Sequence, residues 1–489
     1  MGKPTERPES IADKQNQSIL GDQDNLPPSD QKKDYPKIAL LVLILLYMTH
    51  GFGMGYADSL MSILRGKGVS SDEIGKLGLV NFPSMISFVV GPVVDRYFFS
   101  GFGKRRTYIF PCKMAVAVCM FMLSRNIEGY VEDKDINMIL TWMLSISIFQ
   151  VLDLIALLGY NVEIFGTENA AVSSFVLFNG IVLGQFIGGA FFNLMNSEYF
   201  CQEILGYTSG KQLINHTQII TFFACLCLVA GLLTFCIKEE VPKQQKAMLN
   251  TLKLAKVLFT DKYLGKATIW LLVSCFGAIA LRGTVGQKLI FLKMRREHIT
   301  IMDAGTLPIF LAGNAFMGKF MDKGKIIQRC SLFTAAWLIV LYVDYANIMS
   351  FDPENSYSYG IMLYIVSLLG QAFLPFQTYQ FGFLNTITYP KYASSFSVTM
   401  FALINLGKFV PGTIAVTVLD FLPYSYLFII INSLNLAVLY FLLPWAEQID
   451  NTEIAQYHEG VKSIDPDQSP DEDDAVFDSG LQTKLNSSD

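Results

Sequence analysis

The chain has 489 residues, of which 52% are hydrophobic and 16% are charged. Soluble domains typically carry about 25% charged residues, so the composition excludes an ordinary soluble domain and favours an integral membrane protein. The net charge of −5 comes largely from an acidic stretch near the C-terminus. We therefore expect no nucleic-acid partner, because such proteins present a basic surface.

Polar segments lie at both ends of the sequence. Residues 1–35 and 447–489 are rich in Pro, Asp, Ser, Gln and Lys and contain no long apolar run. Such segments cannot bury enough apolar surface to offset the entropy of ordering, so two disordered tails are predicted. The first segment lacks the basic, apolar and small-residue pattern of a signal peptide, so no cleaved signal is expected.

Between these tails, the sequence is dominated by apolar runs. A membrane-spanning helix needs about 20 mostly apolar residues. Windows of that kind lie near residues 37–56, 76–94, 107–124, 137–160, 170–195, 217–237, 267–285, 300–317, 330–348, 358–384, 392–418 and 422–445. The sequence therefore predicts an all-α membrane protein with twelve transmembrane helices.

The longest internal polar loop, residues 238–266, divides the twelve windows into six and six. We expect one six-helix half over residues 36–237 and another over residues 267–446, with the loop as a cytoplasmic linker. Lys and Arg are concentrated in the even-numbered loops. Because such residues accumulate on the cytoplasmic side, both termini are predicted to be cytoplasmic.

A similar loop occurs at equivalent points of the two halves. Each copy has a Gly, an Asp four residues later and nearby basic residues: Gly91, Asp95, Arg96, Lys104 and Arg105 in the first half, and Gly318, Asp322 and Lys323 in the second. This pair of loops resembles the loop signature of the major facilitator superfamily, whose two six-helix halves are pseudo-symmetric. We expect these residues to make contacts that break and re-form as the halves rock.

A closer resemblance begins just before the first predicted span. The motifs that carry it are Asp34-Tyr35-Pro36, Pro92-Val93-Val94-Asp95 and Phe102-Gly103-Lys104-Arg105, then Gly180, Gly184 and Gly188, and finally Asn405-Leu406-Gly407. Their order and spacing resemble the acetyl-coenzyme A transporter family of the endoplasmic reticulum. The resemblance implies a carrier that moves acetyl-CoA from the cytosol into the lumen of the endoplasmic reticulum.

The sequence departs from that family at several polar positions. In the fourth span, Leu154 and Leu158 stand where the family has acidic residues, and in the eleventh span Lys408 replaces a Gly. These changes leave two alternatives open. One is a facilitator for another organic anion or a peptide-like solute, and the other is a membrane receptor or scaffold that does not transport.

Polar residues within the spans are candidates for a binding site, because a charge in the bilayer costs about 3 kcal/mol or more and usually faces a cavity. The predicted substrate-binding residues are His50, Asp153, Tyr160, Arg282, Lys288, Tyr379, Gln380 and Lys408. The excess of basic residues favours a small anionic substrate. Alternative roles are interfacial anchoring for Arg282 and Lys288, and a proton site or an ion pair with Lys113 or Lys408 for Asp153.

The sequence contains no enzymatic constellation. Its histidines, His50, His216, His298 and His458, show no metal-binding spacing. There is also no Walker loop for a nucleotide. We therefore expect no enzyme activity, no metal and no cofactor, and the sequence gives no indication of the oligomeric state.

Overall fold

The computed structural model describes residues 37–166, 169–207, 211–237, 239, 250–274, 278–321, 325–372 and 376–464, and all statements below concern these residues. Their helices are α1 (Lys37–Gly66), α2 (Ser71–Leu77), α3 (Phe82–Met85), α4 (Gly91–Arg96), α5 (Arg106–Ser124), α6 (Ile127–Glu132), α7 (Ile136–Phe165), α8 (Ala170–Phe186), α9 (Phe192–Met195), α10 (His216–Leu233), α11 (Thr251–Thr260), α12 (Leu264–Val273), α13 (Ala278–Phe291), α14 (Arg296–Met321), α15 (Ile326–Ser350), α16 (Tyr357–Ala372), α17 (Phe376–Ile387), α18 (Ala393–Thr417), α19 (Tyr424–Asp450) and α20 (Ile454–Lys462). Short 3₁₀ turns cover Gly78–Asn81, Ser87–Val89, Thr234–Cys236 and Pro390–Tyr392, and π-helical turns cover Ile187–Phe191 and Phe200–Ile204. The expected all-α class is confirmed.

Eight helical segments are long and apolar enough to cross a membrane: α1, α5, α7, α8 with α9, α10 extended to Cys236, α15, α18 and α19. The other four predicted windows lie on interrupted or more polar helices, namely α2–α4, α12–α13, α14 and α16–α17. The second window is broken because Pro83 and Pro92 begin new helices at α3 and α4, where proline needs no N–H partner. Twelve spans are therefore consistent with the structure.

The helices before residue 237, α1 to α10, are called the N-terminal group here, and α12 to α19 the C-terminal group. Within the N-terminal group, α1 packs along α8, and α5 packs against α7 and α10. Gly184 allows the first of these contacts, because a Cβ there would overlap the carbonyl oxygen of Met48. Between the groups, α18 packs against α2, α4 and α7, while α8 packs against α14 and α17.

Two regions differ from the predicted boundaries. The loop predicted at residues 238–266 contains α11, which buries Leu254 and Leu258. The tail predicted from residue 447 contains the end of α19 and the whole of α20, where Tyr457 is buried and its hydroxyl donates to the carbonyl of Ile449 at 2.9 Å. Helices α11 and α20 are too short and too polar to cross a membrane, although each buries one apolar edge.

Candidate functional site

A cavity of about 500 Å³ lies between the two groups, lined by α1, α8, α13, α14 and α16. This volume is within the range of small-molecule sites. Its charged lining residues are Asp58, Arg282, Arg296 and Asp303. The π-helical turn at Ile187–Phe191 contributes Gly189 to the wall, and the carbonyl of Gly189 accepts a hydrogen bond from Ser59 at 2.7 Å. Turns of this kind often occur at functional sites.

Arg282 is held in the cavity wall by three side chains from three different helices. Its Nη2 donates to the Tyr364 hydroxyl at 3.0 Å and to Asp303 Oδ1 at 3.4 Å, and its Nη1 lies 3.7 Å from Asp344 Oδ1. The Tyr364 hydroxyl also donates to Asp303 at 3.1 Å, and the centre of the Tyr364 ring lies 4.9 Å from Arg282 Cζ. The Asp344 carboxylate is buried, since Asp344 is only 1% exposed. Arg282 therefore neutralises a buried carboxylate and also faces the cavity.

The N-terminal group contributes Asp58 of α1 to the cavity lining. This carboxylate is solvent-accessible although it lies within a membrane helix, because it borders the cavity. Of the residues described, none forms a hydrogen bond or ion pair with its side chain. Asp58 therefore presents an unpaired carboxyl group to whatever occupies the cavity.

Contacts between the groups close one end of the helices around Asp420, in the segment between α18 and α19. Arg65 donates to both Asp420 oxygens, at 2.7 and 3.2 Å, and the Ser71 amide donates at 2.9 Å. Burial alone would raise the pKa of Asp420, but these hydrogen bonds outweigh it and lower the pKa to about 2. We call these three residues the Asp420 contact.

Nearby polar bonds add to the closure at this end. Ser197, just after α9, donates to Glu297 of α14 at 2.8 Å, and Asn193 donates to Thr300 at 3.3 Å. Both bonds join the N-terminal group to the C-terminal group.

At the other end of the helices, Asp95 of α4 accepts from Ser395 of α18, from the amide at 2.7 Å and from the hydroxyl at 2.6 Å. Arg105 donates to Asp95 at 3.1 Å and also bonds Ser394, and Lys104 lies 3.6 Å from the same carboxylate. These five residues are called the Asp95 contact. The loop motif in the sequence contains the two basic neighbours of this carboxylate, Lys104 and Arg105. It does not contain the two serines, Ser394 and Ser395.

Gly91 makes this approach possible. A Cβ at Gly91 would lie 2.6 Å from Val398 Cγ1 and 2.9 Å from Ser395 Cα, closer than real side chains pack. Arg96 instead lies over the ring of Tyr97, at 5.1 Å. In the second copy of the loop, Asp322 and Lys323 lie outside the described residues, and Gly318 lies in α14.

A separate buried cluster lies within the N-terminal group. Asp153 pairs with Lys113 at 2.5 Å, and Lys113 donates to the Thr49 hydroxyl at 2.5 Å. Lys113 was one of the two partners expected for Asp153. The neighbouring His50 is 8% exposed, and its Nδ1 has no hydrogen-bond partner among the described residues. None of these side chains lines the cavity.

The remaining candidates are distributed over other parts of the fold. Lys408 lies 5.3 Å from the centre of the Phe381 ring, and Gln380 donates to Ser274 at 2.8 Å. Tyr379 and Tyr160 are buried, and Lys288 lies over the ring of Phe291 at 4.7 Å. Of the eight predicted substrate-binding residues, the structure therefore places Arg282 alone in the wall of this cavity.

The sequence identifies Asp58 as a candidate charge just after the first predicted span, but Asp58 was not selected as a binding residue, and Asp303 and Asp344 were not considered. The signal was present, because Asp303 and Asp344 are charges inside the predicted spans 300–317 and 330–348. The rule that selected Arg282 would have selected both.

Comparison with known proteins supports the same family. The family model described as Acetyl-coenzyme A transporter 1 matches residues 39–269, which confirms the resemblance found in the sequence motifs. An uncharacterised protein of Schizosaccharomyces pombe is 20% identical over 423 residues, which cover 86% of this chain and 80% of that protein. An uncharacterised membrane protein of Saccharomyces cerevisiae is 23% identical over 231 residues, covering 43% of this chain and 41% of that one.

Among solved structures, the Major Facilitator Superfamily transporter FucP, crystallised in the outward conformation, superposes with a TM-score of 0.54. The match has 12% sequence identity and covers 84% of this chain and 99% of that chain. At this identity the likeness shows the fold, and the expected major facilitator fold is confirmed.

Proposed function

We propose that this membrane transporter of the major facilitator type carries acetyl-CoA from the cytosol into the lumen of the endoplasmic reticulum by alternating access. The family match over residues 39–269 supports acetyl-CoA as the cargo. The concentration of basic residues in the even-numbered loops supports cytoplasmic termini and a multi-pass arrangement. The compartment and the direction rest on the family resemblance.

The observation that carries the transport mechanism is the position of the cavity. It lies between the two groups, with the Asp95 contact at one end of the helices and the Asp420 contact at the other. Each contact joins the N-terminal group to the C-terminal group through side chains that can separate without unfolding a helix. Breaking one contact while the other holds would open the cavity to one side of the membrane at a time.

The cavity offers Arg282 and Arg296 to an anionic cargo. Guanidinium groups bind phosphate oxygens through paired, charge-assisted hydrogen bonds. In this proposal, the two arginines hold phosphates of acetyl-CoA, and the Asp95 and Asp420 contacts alternate around the bound molecule.

Uptake into proteoliposomes tests this proposal. We expect the purified protein to import labelled acetyl-CoA and unlabelled CoA to compete. Arg282→Ala should abolish the uptake, whereas Arg295→Ala should retain it, because Arg295 lies over the Tyr199 ring at 4.2 Å and does not line the cavity. Absence of both uptake and competition would refute acetyl-CoA as the cargo.

A second candidate function is favoured by the charge balance of the cavity. Asp58 and Asp303 offset Arg282 and Arg296, so the described lining carries as many negative as positive charges. This balance suits a zwitterionic, peptide-like solute better than a polyanion. The same proteoliposomes distinguish the two candidates when a dipeptide replaces acetyl-CoA, and a scaffold would import neither.

A further inference from the structure

The charges that line the cavity differ in how completely they are paired. Arg282 contacts two carboxylates, those of Asp303 and Asp344. Arg296 contacts the carboxylate of Glu297 at 3.1 Å. Both positive charges of the described lining therefore already have negative partners, and a multiply charged anion would have to compete with them.

The unsatisfied charge is an acceptor. The Asp58 carboxylate lines the cavity, is exposed to it and has no partner among the residues described. A ligand group of opposite charge that also donates hydrogen bonds gains most from such a carboxylate. The group that fits it is an ammonium, which has one positive charge and three N–H donors.

Arg282 supplies a positive charge to the same cavity. Its side chain is 17% exposed and lines the cavity, although it also pairs with Asp303 and Asp344. A guanidinium binds a carboxylate through charge-assisted hydrogen bonds. The cavity thus offers a carboxylate to an ammonium and a guanidinium to a carboxylate.

From these groups we infer that Asp58 binds the protonated amine of a small zwitterionic solute, whose carboxylate is bound by Arg282. The cavity therefore selects amine-bearing solutes over purely anionic ones. This inference rests on the transport function proposed above, and it takes the second candidate of that proposal, not acetyl-CoA, as the cargo. The chemistry is that of amino acids and short peptides.

Matched probes in proteoliposomes test the selection. The probes are labelled alanine, Ala–Ala and Ala–Ala–Ala, each with its N-acetyl and its C-terminal amide derivative. We expect at least one unmodified probe to be imported, with uptake reduced at least tenfold by N-acetylation, which removes the positive charge. Amidation should reduce uptake as well, because it removes the carboxylate.

Variants assign the amine to Asp58. Asp58→Asn keeps the size of the side chain and should raise the KM of the imported probe at least tenfold, whereas Asp58→Glu should restore most of the loss. The control is Asp133→Asn, since Asp133 is exposed between α6 and α7 and has no side-chain partner among the described residues. This control should transport like the wild type.

Each failure has a distinct meaning. Import of acetyl-CoA without import of any unmodified probe would overturn the inference and leave the transport function standing. An unchanged KM in Asp58→Asn, with only the pH dependence of uptake altered, would also overturn it, because Asp58 would then carry a proton rather than the amine. Absence of uptake of every probe and of acetyl-CoA would refute the transport function and this inference together.

Discussion

The Asp95 contact should determine how often the cavity opens at that end of the helices. Asp95 is 1% exposed and is bonded to cations of its own group and to Ser395 of the other. The ion pairs with Arg105 and Lys104 lie within the N-terminal group, so the bonds of Asp95 that are lost when this end opens are its hydrogen bonds from α18, chiefly those from Ser395. A hydrogen bond to a charged group contributes about 1.5–3 kcal/mol. Because Asp95→Asn replaces the charged acceptor with a neutral one, a loss of about 1.5 kcal/mol is expected. At 1.4 kcal/mol per factor of ten, this is a shift of about tenfold toward the state with this end open.

The assay measures the distance between two spin labels by pulsed electron paramagnetic resonance. The labels are attached to a variant of the protein that lacks the eight native cysteines. Labels at Phe99→Cys and Glu447→Cys would report on the two groups, since both positions are exposed near the Asp95 end. We expect Asp95→Asn to increase the population at the longer distance and Asp133→Asn to leave the distribution unchanged. A distribution in Asp95→Asn identical to that of the wild type would refute the reasoning.

Three further predictions concern other contacts between and within the groups. Gly91→Val should lower the uptake rate at least tenfold by holding the Asp95 end apart, and Gly129→Val, where a Cβ meets nothing within 4 Å, should not; equal rates would contradict the close approach. Arg282→Ala should lower the free energy of unfolding by about 3 kcal/mol because it orphans a buried carboxylate, and adding Asp344→Asn should recover part of this in a thermal-unfolding assay; a double variant no more stable than the single one would refute the pairing. Because the pKa of Asp420 is lowered to about 2, its bonds stabilise the fold above the ordinary carboxyl pKa and are lost only as the pH falls toward 2. The stability difference between wild type and Asp420→Asn should therefore be constant from pH 7 to pH 5, and a difference that shrinks in this window would contradict the assignment.

The helices and the Asp95 contact could be predicted because their signals are local. Apolar runs of sufficient length give spans such as α1 and α7, and the spacing of Asp95 and Arg105 gives the loop motif. The serines that complete this contact lie 300 positions away in α18. No local pattern indicates which helix end meets Asp95, so that part needed the fold.

The binding residues were harder to predict. A charge in the bilayer is costly, so it must either pair with another residue or face a cavity, but the sequence does not show which of the two occurs. Lys113 and Asp153 satisfy each other away from the cavity, and Lys408 lies beside an aromatic ring. Asp58 has no such partner and faces the cavity. The rotation of α1 about its own axis determines that Asp58 faces the cavity. Because α1 is apolar on most sides, its sequence does not indicate this rotation.

The central claim is that transport requires the two groups to separate and close in alternation. A reversible crosslink tests it directly at Asn385 of α17, whose Nδ2 donates to Ser173 of α8 at 2.9 Å. Ser173→Cys and Asn385→Cys, combined on the background without native cysteines, should form a disulfide on oxidation. The account predicts that uptake of the transported solute, acetyl-CoA or a dipeptide, stops on crosslinking and returns with a reductant. Undiminished uptake with the crosslink fully formed would contradict it.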